Sequence, residues 1–398
     1  MNSKKKDFTA SNDIHVEKLQ LTVKDDVYTV SALVDGEPIW FQSADHTLRM
    51  APEAIAGALL VPAVHLGRNL VFADPLCPVW LDHARQLMDF YHQWWDWPPV
   101  EISSSTKDTP VKYEGDKTGL CFSGGVDSFY SIITYPEPID MIITVHGYDI
   151  ALDDEAGAAH AITNTHKVAN EYGIKALSIK TNLRQHHIAG KRFRNSHEGA
   201  LAAIGYLVEG MGTLIISSDY SREALHTIKH GLHWKTTPLR SSKDIRIRHY
   251  GEQYSRAQKI DKIAGNPVLC KHLRVCQQNL KPGFDLSGQF LNCGTCAKCV
   301  LTLIVLQHST ELDTFECFAN TKHLAHYLDQ VVTIDEHTCS SYEKHCTVDV
   351  EPALQHAFRA LVWRSRFLNK RPWLGRKGTK FLGNFFKSWH NFKQRLSQ

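Results

Sequence analysis

The first hundred residues carry two different patterns of apolar positions. Apolar and polar positions first alternate, with a turn signal at Asp35-Gly36, and this alternation is typical of β-strands. Apolar positions then recur at helical spacing, which predicts two helices. The expected strands are 19–23, 27–34 and 38–41, and the expected helices are 53–60 and 80–95. The pattern predicts a small α+β module over 13–105, in which no catalytic motif is recognisable.

From residue 117 onward, short apolar runs alternate with helical windows. Strands separated by helices need crossover connections, which favours parallel pairing. The expected strands are 119–122, 141–145, 176–179 and 213–217, and the expected helices between them are 127–134, 155–172 and 198–209. The pattern predicts an α/β fold over 117–310 with a doubly wound parallel sheet, whose ligand lies beyond the carboxyl ends of the strands.

The remaining segments are polar or helical. Residues 1–12 are expected to be disordered, residues 106–116 to form a linker, and residues 311–358 to form helices. Over 359–398, aromatic residues recur at helical spacing among lysines and arginines, which predicts a basic amphipathic tail. These aromatic residues are Phe381, Phe385, Trp389 and Phe392.

Charge is distributed unevenly along the chain. There are 45 Lys and Arg against 42 Asp and Glu, a formal charge of +3. The last 47 residues hold 11 of the basic residues and no acidic one, so the first 351 residues carry −8. We therefore expect the tail to bind an anionic partner, which is a membrane surface, a nucleic acid or an acidic protein. Packing of the tail on the chain's own acidic body is the alternative.

The composition is that of a globular protein, with 43% hydrophobic and 22% charged residues. The longest uncharged apolar stretch, 54–67, is interrupted by Pro62 and is shorter than the ~20 residues of a transmembrane helix. No apolar signal segment follows the N-terminal lysines. We expect a reducing, cytoplasmic location, peripheral to a membrane if the tail binds one. There, a tight cluster among the ten cysteines is a metal or redox site and not a disulfide framework.

The first predicted strand of the sheet leads directly into the motif Ser-Gly-Gly-Val-Asp-Ser at 123–128. Two glycines allow the backbone to approach an anion, and the hydroxyl groups and the start of a helix favour negative charge. The motif therefore predicts a phosphate site. It lacks the Lys-Ser/Thr ending of the Walker loop, which argues against transfer of a terminal phosphoryl group. A flexible turn in which Asp127 caps the helix is the alternative.

This motif resembles the pyrophosphate loop of the N-type ATP pyrophosphatase (PP-loop, adenine nucleotide alpha hydrolase-like) superfamily, which has a HUP-like fold. Members bind ATP and react at its α-phosphate, which releases pyrophosphate and leaves an adenylated substrate. The resemblance implies that Ser123 and Asp127 are catalytic, and that Asp127 helps to place Mg²⁺. The implied ATP-binding residues are Phe122, Ser123, Gly124, Gly125, Val126, Asp127, Ser128, Val145, His146 and Gly147.

A cluster of cysteines follows the predicted sheet. Cys293, Cys296 and Cys299 have the C-x₂-C-x₂-C spacing that lets thiolates face one ion, and the glycine after the first cysteine eases the turn. For the fourth ligand we choose Cys276 over Cys270 because it is closer in sequence. We expect a structural zinc site of four cysteines. Buried free cysteines, an iron–sulfur cluster and a thiol-transfer site are the alternatives.

The loop and the cysteine cluster together are similar to the 7-cyano-7-deazaguanine synthases, which adenylate a carboxylate on a deazapurine. The likeness covers about 115–310 and includes Arg194-Asn195, so it implies that Arg194 contacts the nucleotide. Where that family has Tyr-Pro-Asp-Cys-Arg after the fourth strand, this chain has Asp-Tyr-Ser-Arg-Glu at 219–223. The resemblance therefore implies the adenylation step more strongly than the deazapurine substrate.

Two further groups stand out by position. Arg256 and Lys259 lie three residues apart in a predicted helix, so they share one face that could bind phosphate, and a solvated basic face is the alternative. No metal-binding histidine pair is recognisable among the 23 histidines, of which His146 and His197 merit testing.

We expect a ligase that uses ATP and Mg²⁺ to adenylate a substrate, most simply a carboxylate, so that AMP leaves when a nitrogen nucleophile attacks. Two alternatives stay open. One is a PP-loop sulfur-transfer ligase acting on tRNA. The other is a non-catalytic module that binds ATP and zinc.

Overall fold

The computed structural model describes residues 13–104, 115–278, 290–371 and 381–382. Its strands are Asp13–Lys24 (β1), Val27–Val34 (β2), Glu37–Ser43 (β3), Asn69–Phe72 (β4), Ile102–Ser104 (β5), Lys117–Cys121 (β6), Met141–His146 (β7), Lys175–Thr181 (β8), Met211–Ser217 (β9) and Arg246–Tyr250 (β10). Its α-helices are Pro52–Leu66 (α1), Pro78–Trp95 (α2), Val126–Thr134 (α3), Glu155–Tyr172 (α4), Phe193–Leu207 (α5), Arg222–Leu225 (α6), Arg256–Ile263 (α7), Pro267–His272 (α8), Ala297–Leu306 (α9), Leu324–Asp329 (α10), Glu336–Thr347 (α11) and Pro352–Asn369 (α12).

All ten strands belong to one sheet, in the order β10-β9-β6-β7-β8-β3-β2-β1-β4-β5. The five strands from β6 to β10 pair in parallel, and β4 and β5 continue from β1 in parallel. The antiparallel strands β1, β2 and β3 join the two parallel parts, since β3 pairs with β8 through Phe41 and Thr181. The strands of 13–104 therefore extend the sheet of the later residues instead of forming a sheet of their own.

Both faces of the sheet are covered, as alternation along the central strands requires. Ile142 of β7 and Ile215 of β9 pack into a core with α3, α4, α7 and α9. Their neighbours Ile143 and Leu214 point the other way, into a core shared with α1, α2 and α5. Successive side chains of a strand point to opposite faces, and parallel strands buried on both faces are characteristic of α/β proteins. The expected α/β class is confirmed.

Helices α1 and α5, which come from distant parts of the chain, approach each other closely. A Cβ atom placed on Gly199 would lie only 2.3 Å from the carbonyl oxygen of Gly57. The helix α1 also continues beyond its expected end at residue 60, through Pro62, to Leu66. Every residue from 53 to 64 is buried, so tertiary packing outweighs the hydrogen bond that a proline inside a helix removes.

The sequence pattern missed three strands, β4, β5 and β10. The strands β4 and β5 are only four and three residues long, too short for alternation to be recognised. In β10 the only fully buried residue is Ile247, which lies between Arg246 and Arg248. Arg246 and Arg248 therefore belong to a strand. Helix α5 was also misplaced, because it begins at Phe193, five residues before its expected start.

The C-terminal helices α9 to α12 pack on the face that carries α3 and α7. Helix α12 crosses the expected boundary between the helices and the basic tail at residues 358 and 359. The predicted tail beyond residue 371, apart from residues 381–382, lies outside the described residues, as do 1–12 and most of the linker. Within the described part of the chain, no helix has the length and apolar character needed to span a membrane.

Candidate functional site

The loop at 122–125 connects β6 to the start of α3. Gly124 has φ +75°, in the left-handed region that favours glycine, and Gly125 caps the helix. The Ser123 hydroxyl is exposed and accepts a hydrogen bond from the Gly125 amide at 3.3 Å. Since α3 has no side-chain cap of its own, the amides of its first turn are directed to this loop. These amides and the Ser123 hydroxyl are suited to bind an anion.

This loop lies at the point where the order of the parallel strands reverses. From β6, the chain adds β7 and β8 on one side and β9 and β10 on the other. The Ser131 hydroxyl of α3 lies 2.8 Å from the Ser217 hydroxyl at the end of β9. In parallel α/β sheets, ligands bind in the crevice at such a point. The loop is therefore located where the fold offers a ligand site.

Asp127, in the first turn of α3, is bound by two basic side chains of α7. Arg256 donates to Asp127 Oδ2 through Nη2 at 2.6 Å and Nε at 3.2 Å, and Lys259 Nζ donates to Oδ1 at 3.0 Å. Burial alone would raise the pKa of Asp127, but the two cations outweigh it and lower the pKa to about 2. The structure thus brings three predicted site residues together, with the carboxylate charged and both its oxygens paired.

The other predicted loop residues support the backbone. Phe122 is buried and its ring packs against Phe129, with centroids 5.2 Å apart. Val126 is buried as well, and the Ser128 hydroxyl donates to the Gly125 carbonyl at 3.0 Å. These side chains shape the loop. Ser123 is exposed and Gly125 is half-buried, so these two residues offer surface to a ligand, whereas Gly124 is buried.

The ATP-binding residues predicted at the end of β7 have structural roles of their own. His146 is buried, and its Nε2 donates to the Ala151 carbonyl at 3.0 Å. Gly147 has φ +105°, and a Cβ atom there would lie 2.0 Å from the Thr181 carbonyl oxygen. Val145 is half-buried. The His146 imidazole therefore holds the turn after β7, which leaves backbone atoms as the available contacts for a base.

Arg194 lies in the first turn of α5, beyond the carboxyl end of β8. Its side chain is exposed, and its carbonyl oxygen accepts a hydrogen bond from His197 Nδ1 at 3.0 Å. It shares the sheet edge with the loop at 122–125, but among the described residues it has no hydrogen bond to that loop.

Four cysteines lie together, and they are the four that the sequence predicts. Cys276 Sγ is 3.4 Å from Cys293 Sγ, and Cys296 Sγ is 3.4 Å from Cys299 Sγ. All four sulfur atoms lie within 4.8 Å of one another, so this group could hold a metal such as zinc. Cys270 is outside the group, with its Sγ 3.9 Å from the Ala264 carbonyl oxygen.

Backbone amides around this four-cysteine group point at one of its sulfur atoms, that of Cys293. The amides of Thr295 and Cys296 point at Cys293 Sγ, at 3.5 and 3.4 Å. Hydrogen bonds from the other three thiols lower the pKa of Cys293. Gly294 has φ +72°, and a Cβ atom there would lie 1.9 Å from the Asn320 carbonyl oxygen. The predicted need for glycine after the first cysteine is met by this turn.

Sequence reasoning missed two residues that connect the parts of the site. The side chain of Asn292 bridges the cysteine-bearing segments. Its Oδ1 accepts hydrogen bonds from the backbone amides of Val275 and Cys276 at 2.8 and 3.1 Å. Arg274 joins the same segment to the loop at 122–125 through its backbone and its side chain. Neither has a motif of its own, although each lies within two residues of a predicted cysteine ligand.

Two surface cavities, of about 610 and 620 Å³, lie on the C-terminal helices. Their lining residues fall within 307–354 and 343–371, and none belongs to the loop at 122–125 or to the four-cysteine group. The candidate site is therefore an open edge of the sheet and not one of these cavities.

Comparison with protein-family models, with curated proteins and with solved structures found no match. The function must therefore be inferred from the geometry of the site and from the resemblance of its motifs.

Proposed function

We propose that this protein is an ATP-dependent ligase of the PP-loop type, which adenylates a carboxylate and releases pyrophosphate. The observation that carries the proposal is the position of the loop at 122–125. It joins a parallel strand to a helix at the point where the strand order reverses. Two cations, Arg256 and Lys259, pair with Asp127 directly after this loop. The resemblance of its motif to the PP-loop superfamily supports ATP as the ligand.

The proposed reaction has two steps. A carboxylate oxygen of the substrate attacks the α-phosphorus of ATP, and the bond to the leaving pyrophosphate breaks. A nitrogen nucleophile then attacks the carbonyl carbon of the acyl-adenylate and loses a proton, and AMP leaves. The chain contributes by holding the reacting groups in place and by neutralising the charge that develops on pyrophosphate.

Arg256 and Lys259 are the residues proposed to neutralise this charge. Both approach the start of α3, and Lys259 is almost fully buried, so its ammonium group interacts strongly with a nearby anion. When the phosphates of ATP attract these cations, the oxygens of Asp127 become available. Asp127 would then hold Mg²⁺, which offsets phosphate charge when bound.

The four-cysteine group is proposed as a structural zinc site. Four thiolates leave no coordination position for a substrate, so a metal there would stabilise the fold without taking part in the reaction. The connection from Cys276 through Arg274 to the phosphate loop supports this role.

The test is ATP–pyrophosphate exchange with candidate carboxylates, together with identification of the nucleotide product. We expect AMP as the product, and we expect exchange to fall at least tenfold in Lys259→Met, about 1.4 kcal/mol of lost stabilisation. Lys262→Ala is the matched control, because Lys262 lies in the same helix, is exposed and contacts the ring of Tyr254 instead of Asp127.

Other outcomes would identify a different function. Formation of ADP without AMP would refute adenylation. A requirement for a sulfur donor and tRNA would favour the thiolation ligase, and ATP binding without any pyrophosphate release would favour a non-catalytic module.

A further inference from the structure

A second group of metal-ligand side chains lies at the same edge of the sheet. His197 is in the first turn of α5, Asp219 follows the end of β9, and His230 lies in the segment after α6. One ligand atom from each lies within 4.8 Å of the other two, and His230 Nδ1 is 3.7 Å from Asp219 Oδ2. Sequence reasoning singled out His197 alone, because the three residues are separated along the chain.

The His197 ring is held in the orientation that a metal ligand needs. Its Nδ1 lies 3.0 Å from the carbonyl oxygen of Arg194, which can only accept, so Nδ1 carries the proton and Nε2 carries the lone pair. A hydrogen bond of this kind from the distal nitrogen is typical of metal-bound histidines. The His197 and His230 rings lie with centroids 5.1 Å apart.

The carboxylate of Asp219 gives independent support for a bound ion. Its Oδ1 is buried and has no hydrogen-bond partner among the described residues. A buried carboxylate oxygen without a partner is costly, and native proteins seldom retain one unless an ion or another ligand satisfies it. Tyr220, the next residue, is fixed by a hydrogen bond of 2.6 Å from the Ser218 hydroxyl to its carbonyl oxygen, so the turn that carries Asp219 is held in place.

The backbone also holds the two histidines together. Gly231, directly after His230, packs against α5 so closely that a Cβ atom there would lie 2.1 Å from the Asn195 carbonyl oxygen. His230 itself is only 9% exposed. The His230 segment therefore packs against the first turn of α5, two residues from His197. Backbone packing thus fixes the positions of the two histidines relative to each other.

We propose that His197, Asp219 and His230 form a second metal site, which takes a divalent transition-metal ion of the zinc type. Two imidazoles and one carboxylate suit such an ion, whereas Mg²⁺ prefers oxygen ligands alone. With bonds of about 2.0–2.2 Å, ligand atoms in a tetrahedral site lie about 3.4 Å apart, so small side-chain rotations close the group on an ion. Three protein ligands leave a position open for water or a substrate oxygen.

The site lies close to the proposed ATP loop. Asp219 lies close enough to Asp127, Arg256 and Lys259 for their charges to act on its carboxylate. Metal binding by His197, Asp219 and His230 does not depend on adenylation, because it requires neither ATP nor the Asp127 group.

The test is the zinc content of the full chain after loading with Zn²⁺ and dialysis, measured by mass spectrometry of the metal. We expect about two zinc ions per chain in the wild type and about one in the His197→Ala/His230→Ala variant. X-ray absorption at the zinc edge should show mixed sulfur and nitrogen or oxygen ligands in the wild type and sulfur alone in the variant.

Two further variants keep the comparison sharp. His226→Ala removes an exposed histidine of the same segment that is outside the group, and it should retain both ions. Asp219→Asn keeps the side-chain shape and replaces the double variant in the experiment if that variant fails to fold. It should also lose the second ion. One zinc per chain in the wild type, or a second ion that survives these changes, would overturn the proposal. ATP-dependent activity plays no part in this outcome.

Discussion

The backbone amide of Arg274 donates a hydrogen bond to the carbonyl oxygen of Gly124 at 2.7 Å. Arg274 Nε also points at the Ser123 carbonyl oxygen, at 3.2 Å. Two residues after Arg274 comes Cys276, a member of the four-cysteine group. The loop at 122–125 is therefore braced by the segment that carries Cys276. A metal at the cysteines would fix this segment, so we expect the order of the loop to depend on metal binding.

This coupling predicts an effect of metal loss on the loop. In Cys276→Ser we expect the metal content to fall by about one ion per chain, because a four-ligand site loses one of its thiolates. Hydrogen exchange at residues 123–128 should become faster, since the Arg274 segment is no longer anchored. Both are measured on the same sample, by metal analysis and by hydrogen-exchange mass spectrometry.

Cys270→Ser is the control for this experiment. Cys270 lies near the group in sequence but outside it in space, so its loss should leave both the metal content and the exchange at 123–128 unchanged. If Cys276→Ser lost the metal while the loop kept its protection, the proposed coupling would be wrong.

The ion pairs of Asp127 predict a pH dependence of stability. Its pKa is lowered from 3.8 to about 2, so the folded state favours the charged form. The stabilisation is present above pH 4 and is lost as the pH falls from about 4 through about 2. It amounts to about 2 kcal/mol, and Asp127→Asn should lack it. Urea unfolding at several pH values should show the difference between wild type and variant shrinking over this range.

Asp116→Asn tests whether the effect is specific. The Asp116 carboxyl is 88% exposed and its nearest cation, Lys117, is 3.8 Å away, so this variant should follow the wild type at every pH. A difference between Asp127→Asn and wild type that stayed constant down to pH 2 would mean that the ion pairs do not set the stability.

A buried ion pair joins α5 to the helical turn at 237–240, and the same arginine contacts α2. Glu198 and Arg240 are both almost fully buried, with Arg240 Nε 3.1 Å from Glu198 Oε2, and Arg240 Nη2 donates to the Tyr91 hydroxyl at 2.5 Å. Glu198→Ala leaves the guanidinium buried without its carboxylate, so we expect a loss of about 3–5 kcal/mol in the free energy of unfolding. Denaturant unfolding measures this loss. Glu223→Ala, at an exposed position, should change the stability by less than about 0.5 kcal/mol.

Local features of the site were predictable from sequence, and contacts between distant residues were not. The glycine-containing motif at 123–128 and the cysteine spacing are local, because turn geometry and ligand spacing depend on residues a few positions apart. The pairing of β3 with β8 joins residues 41 and 181 and depends on tertiary packing that no short window contains.

The histidine group shows the same limit. Gly231 and Asn195 are brought together by the fold, and with them His197 and His230. Arg256 and Lys259 were predicted on one helical face, but only the structure shows that this face meets Asp127. Their spacing was informative, whereas the identity of their partner depends on how α7 packs against α3.

The close approach of α1 and α5 gives a matched pair of substitutions. In Gly199→Ala the new methyl group would lie 2.3 Å from the carbonyl oxygen of Gly57, so the helices must move apart. We expect a loss of about 1–3 kcal/mol, typical of overpacking. In Gly57→Ala the methyl group meets the Gly199 carbonyl oxygen at 3.8 Å, an ordinary contact. Because alanine is favoured over glycine inside a helix, this variant should be unchanged or more stable by up to about 1 kcal/mol.

Thermal and denaturant unfolding measure the stability of the two variants. The comparison is matched because both variants make the same chemical change on facing helices. A destabilised Gly199→Ala beside an unaffected Gly57→Ala would show that the contact is one-sided, as the geometry requires. Equal effects would mean that helix propensity alone determines the response. Helix α5 carries His197, so a shift of this helix in Gly199→Ala should also weaken zinc binding at the proposed histidine site. In Gly57→Ala the helices need not move, and zinc binding should stay intact.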